Sequence, residues 1–145
     1  ADQVEASLDL LDNDDELTLA RIIFVVHCGL IEETSIQLRD WHDACAHFSD
    51  VALLNRQEGV NHKKIKQFKE HYESMRLPFL VESVRKNRVA NPAKILDPSS
   101  RRISHAFDPE ADIDSDLPDT YIERLPTGER AKPIPMPFGG QINNT

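Results

Sequence analysis

Proline placement divides this chain more sharply than any other feature. Seven of its nine prolines (98, 109, 118, 126, 133, 135 and 137) fall within residues 97–145. Proline lacks a backbone N–H and fixes φ, so helix interiors and central strands reject it. Regular structure is therefore expected upstream, over residues 1–92. Residues 93–145 are expected to form a long extended arm, acidic and Pro-rich. Such an arm cannot bury enough apolar surface to offset its ordering entropy alone. It is expected to lie along a surface, its own or a partner's, with Tyr121, Ile122, Leu125, Ile134, Met136, Phe138 and Ile142 as anchors.

Upstream, apolar spacing and caps point to helices. Val4, Leu8 and Leu11 suggest a short amphipathic helix at the start. "NDDE" at 13–16 reads as a capping box, opening a helix through "ELTLARIIFVVHCGLIEE". That segment is apolar nearly all round, as a buried helix would be. A buried strand at 21–27 is the alternative, since "IIFVV" is rich in β-branched residues. "TSIQ" at 34–37 repeats the box. It opens a second helix with the stripe Leu38, Trp41, Cys45, Phe48 and Ala52, stopping at Gly59. Asn61 caps a third, with the stripe Ile65, Phe68, Tyr72 and Met75. After Pro78, "FLVESVRKNRV" is expected to be a fourth and shorter helix ending at Asn91-Pro92. The expected fold is all-α: a small bundle of about four helices around Phe24, Trp41, Phe48, Phe68 and Tyr72, followed by the arm.

Charge is segregated along the chain. Residues 1–61 hold 13 acids and 3 bases, residues 62–102 hold 4 and 11, and residues 103–145 hold 8 and 3. The central basic block offers Lys63, Lys64, Lys66, Lys69, Arg85, Lys86 and Arg88 to an anionic surface, nucleic-acid phosphates included. The acidic flanks offer it a partner within the chain or between copies.

"DWHDACAHF" at 40–48 raises a metal site. On a helix His42 and Cys45 lie about 60° apart, while His47 points away at about 200° from Cys45. Cys45 also sits in the apolar stripe, where a free cysteine packs as a small hydrophobe. No metal and no cofactor are expected. A small metal-stabilised module on His27, Cys28, His42 and Cys45 stands as an alternative. Asp112, Asp114, Asp116, Thr120 and Glu123 match EF-hand ligand spacing, but Leu117 occupies the glycine position and Asp119 an apolar one. "RRIS" places Ser104 in a basophilic kinase context, and "KPIPMPF" at 132–138 has polyproline-II character. A Gly-rich phosphate loop, G-x-S-x-G and H-E-x-x-H are all absent, so catalysis is not expected.

Two cysteines are too few for a disulfide framework. The longest apolar run, Ile22–Val26, falls far short of the roughly 18 residues that span a bilayer. Asp2 and Glu5 stand where a leader peptide carries basic residues, and Ala1 in place of Met suggests a trimmed, processed or excerpted chain. The expectation is an intracellular protein, cytoplasmic or nuclear, without membrane insertion. Its expected role is a non-enzymatic structural or adaptor subunit, binding protein neighbours or copies of itself through the arm and the basic helices. A nucleic-acid-associated, nucleocapsid-like protein using the basic block is the alternative.

Overall fold

The computed structural model describes residues 5–7, 10, 16–33, 35–104 and 119–137. Its centre is a sheet and not a helical bundle. Strand β1 (Ile23–His27) leads through a 3₁₀ turn (Cys28–Glu32) to helix α1 (Ile36–Phe48) and strand β2 (Val51–Asn55). Helix α2 (His62–Ser74) then leads to strands β3 (Leu80–Arg85) and β4 (Arg88–Val89) and a short helix α3 (Pro92–Leu96). The strand order is β1-β2-β3-β4, with the first three parallel and β4 antiparallel. The expected all-α bundle is thus corrected to a mixed α/β fold.

Three local departures produce that correction. The first is β1, where a buried helix was expected. Alternate burial runs along it, with Phe24 and Val26 inward and Ile23, Val25 and His27 outward. Consecutive β-branched side chains lose rotamer freedom in a helix and pack well on a pleated surface. The second is the end of α1. The helix opens at the "TSIQ" segment as expected, but Ser35 caps it by accepting from the Leu38 amide, one residue past the cap position of the box, and it stops at Phe48 and not at Gly59. There the Ser49 hydroxyl donates to the Cys45 carbonyl at 2.6 Å. Asp50 draws the Ile22 N–H onto its carboxylate at 2.8 Å, setting β2 beside β1. Ala52, assigned to a helical stripe, faces the core from a strand.

The third departure is the segment expected to be a fourth helix, which is a β-hairpin. Lys86 and Asn87 both have positive φ, 50° and 58°. Two left-handed residues in succession match the twist of antiparallel strands and close a tight turn. Helix α2 begins where it was expected. The Asn61 side chain accepts from the Lys63 amide at 2.9 Å, Ile65 and Tyr72 are buried, and Met75 is 47% exposed beyond the helix end. Asn91 caps α3, with Pro92 in the first helical turn where its missing N–H has no cost.

Both crossover helices pack on one face of the sheet. Phe24, Val26, Ala52 and Leu54 meet Ala46 of α1 together with Ile65 and Tyr72 of α2, and Trp41 and Phe68 close the edge of this core. The opposite face carries Ile23 (39% exposed) and Val25 (57%) at the β1 side. At the β3 side Lys94 of α3 reaches Glu82 at 2.5 Å. No helix among the described residues is long and apolar enough to cross a membrane.

The segment after α3 is fastened at two places. Asp50, fully buried, accepts from the amides of Arg101 (2.6 Å) and Arg102 (3.1 Å) and from the Arg102 guanidinium at 2.7 Å. Burial alone would raise its pKa, but these donors outweigh it and hold the carboxyl below its ordinary value. Farther on, Tyr121 packs against Ala44 and Phe48 of α1 in a cluster separate from the main core, joined by Ile122 and Ile134. His47 Nε2 meets Asp119 Oδ2 at 2.9 Å beside that contact.

Candidate functional site

The hairpin brings part of the basic block together. Val81, Ser83 and Arg85 alternate along β3, so they share the face on which α2 packs. At the hairpin edge of this face α2 contributes Lys69. A recess of about 410 Å³ remains there, lined by Lys69 of α2, by Ser83 and Arg85 of β3, and by Arg88, Val89 and Ala90. Arg85 and Arg88 are paired directly across the two strands. Like charges at opposed positions of a ladder repel. Among the described residues, Lys69, Arg85 and Arg88 form no ion pair. Glu82, the acid in the lining, is held by Lys94. The recess is therefore a concentration of positive charge that an anion would relieve.

The remaining basic candidates are spread out. Lys86 is exposed in the hairpin turn, adjoining the recess. Lys63 and Lys66 are exposed on α2, with Lys66 paired to Glu70 at 3.3 Å. Lys64 faces a different cleft, between the two helices. Ser83, Val89 and Ala90 were missed in the sequence because 79–89 read as helix. The signal was "RKNR", whose outer arginines end up paired across a two-residue turn.

The proposed arm anchors divide. Tyr121, 5% exposed, and its neighbours Ile122 and Ile134 are seated on the chain's own α1. The Lys132 ammonium lies 4.4 Å from the Tyr121 ring centre. Arg130 donates to the Tyr121 carbonyl at 3.0 Å and pairs with Glu5. Leu125 (45%) and Met136 (78%) are exposed. Phe138 and Ile142 lie outside the described residues.

The four metal candidates do not converge, and among the described residues no three His, Cys, Asp or Glu side chains form a metal-binding group. His27 points outward from β1 while Cys28 is buried in the core. Burial pushes the Cys28 thiol up to about 11 and the Cys45 thiol up to about 12, far from thiolate reactivity. His42 packs among Phe24, Trp41 and Phe68 with ring centres 5.4–5.7 Å away, and burial lowers its pKa. Of the EF-hand candidates, Asp112, Asp114 and Asp116 lie outside the described residues, and Thr120 and Glu123 are exposed beside Asp119, which is engaged by His47. Ser104 is 2% exposed, out of reach of a kinase in this conformation.

Comparison with protein-family models, with curated proteins and with solved structures finds no match to this chain.

Proposed function

We propose that this chain is a non-enzymatic binding module whose basic recess takes the backbone phosphates of a nucleic acid. The observation that carries the reading is the cross-strand Arg85–Arg88 pair beside Lys69, three cations that form no ion pair among the described residues while the lining acid Glu82 is held by Lys94. The Ser83 hydroxyl in the same lining adds a neutral donor. Guanidinium groups suit phosphate because their forked N–H groups match its oxygens. Lys86 in the turn extends the cationic surface toward the next phosphate.

Anisotropy titration with fluorescein-labelled oligonucleotides, single- and double-stranded, tests this. Three phosphate contacts predict a slope of log affinity against log salt of about −2 to −3. Lys69→Glu, Arg85→Glu and Arg88→Glu together should abolish binding while the circular dichroism stays unchanged. An affinity insensitive to salt or to these changes would overturn the reading.

An assembly or adaptor subunit is the second reading, favoured by the exposed arm side chains Leu125 and Met136. It predicts a solution mass above that of one chain, or co-purification with a protein partner. Leu125→Asp with Met136→Asp should remove either one.

A further inference from the structure

A second concavity lies on a different side of α2, between the two crossover helices. Leu30 and Ile31 of the 3₁₀ turn, Leu38 of α1 and Phe68 of α2 form its apolar wall in a cleft of about 300 Å³. That volume is at the small end of the range for sites that hold small organic ligands. His42 lines the cleft while only 5% exposed, and its ring makes no hydrogen bond among the described residues. Its ring nitrogens are not among the fully buried polar atoms of the described residues, so they stay accessible from the cleft and free to bond a ligand. Its neighbours are already engaged. Asp43 accepts from the Tyr72 hydroxyl at 3.0 Å and meets His71 at 3.3 Å. Two cations, Arg39 and Lys64, stand in the lining against one acid, Glu33, and neither cation forms an ion pair among the described residues.

We propose that this cleft is a binding site for a small carboxylate with an apolar, ring-bearing body. The ring lies against Leu30, Ile31, Leu38 and Phe68, where a flat hydrophobe loses most of its contact with water. The carboxylate faces Arg39 and Lys64. His42 supplies one hydrogen bond to a polar atom of the ligand, and it does so as neutral imidazole, since burial disfavours the charged ring. Lys64, Phe68 and His71 recur at helical spacing along the cleft side of α2, while Lys69 is turned about 140° from Lys64 toward the basic recess. The cleft and the basic recess therefore use different faces of the same helix.

The molecule carries its own reporter. Trp41 is the single tryptophan, and its ring centre lies 5.4 Å from that of His42. Titration of the full chain with 3-phenylpropanoate, followed by Trp41 fluorescence and by ¹H–¹⁵N spectra, is expected to saturate at about millimolar concentration or below. Amide shifts should cluster at 30–42 and 64–72. Arg39→Gln with Lys64→Gln removes two solvent-facing charges and should weaken binding at least tenfold. The uncharged 3-phenylpropanamide should bind at least tenfold more weakly than the carboxylate. His42→Phe, which keeps the aromatic packing, should weaken both ligands alike. The proposal is overturned by an unsaturable response, by shifts scattered over the surface, by equal affinity for acid and amide, or by full affinity in the Arg39/Lys64 double variant.

Discussion

The two fastenings of the C-terminal segment use opposite physics. At residues 101–102 the chain is held by a fully buried carboxylate, Asp50, that gathers amides from both sides of itself and a guanidinium. At residues 119–134 it is held by an aromatic side chain on a helix surface, with a partly exposed His47–Asp119 pair at the rim. Asp50 joins three segments, those of Ile22, Arg101 and Arg102, and the start of β2, so its loss propagates into the sheet. The Tyr121 contact joins one helix to one loop. The first is part of the fold's framework, and the second is a separable latch.

The largest effect should follow from Asp50→Ala. Removing one member of a buried charge pair leaves the Arg102 guanidinium without its carboxylate, and about 3–5 kcal/mol of stability should be lost. Urea unfolding with a tryptophan readout measures it. A loss no greater than that of a surface substitution would erase the proposed contrast between framework and latch. Tyr121→Ala should come next. It removes a large side chain from a small peripheral cluster, so about 2–3 kcal/mol is expected, below the usual range for aromatic truncation in a main core. Its signature should be local. Limited proteolysis within 119–137 should accelerate while hydrogen exchange in β1 and β2 stays slow. Equal acceleration everywhere would make the latch part of the framework.

The smallest effect concerns acid. Burial works to raise the Asp119 pKa, but hydrogen bonds, that from His47 foremost, bring it down to about 2 from an ordinary 3.8. A folded-state value below the unfolded one adds stability that is complete above the unfolded pKa. It is lost as pH falls from about 4 toward 2. Protease sensitivity of the 119–137 segment should therefore rise across that window. Asp119→Asn should flatten this rise and leave the segment more sensitive at pH 7. A rise that persists unchanged in the variant would assign the acid response elsewhere, with Asp50 the first group to examine.

Some elements could be read from local chemistry because local chemistry decides them. The starts of α1 and α2 depend on side-chain caps two or three residues away; Asn61 serves where the sequence placed it, and α1 is capped by Ser35, one residue past the Thr34 of the "TSIQ" box. The segment "IIFVV" could not be decided in this way. Five apolar residues in a row carry no period, and a buried helix and a buried strand look alike. The Asn13–Glu16 box tipped the reading toward helix, and residues 13–15 lie outside the described residues. "FLVESVRKNRV" misled for a different reason. Its turn uses Lys-Asn where the common signal is Asn-Gly, so nothing short-range marked a hairpin.

The same division runs through the candidate sites. The sequence supplied the basic block and Tyr121 among the anchors. It did not show that Arg85 faces Arg88, that Lys69 comes over the hairpin, or that Arg39 and Lys64 flank one cleft. By itself, then, the sequence determined what short-range rules control: where helices start, the crowding of proline into the last third, and the segregation of charge. Only the tertiary structure decided which apolar run became a strand and which cations met. A strand exists only when a neighbour satisfies its backbone, and that neighbour here lies about thirty residues away, beyond the reach of any local rule.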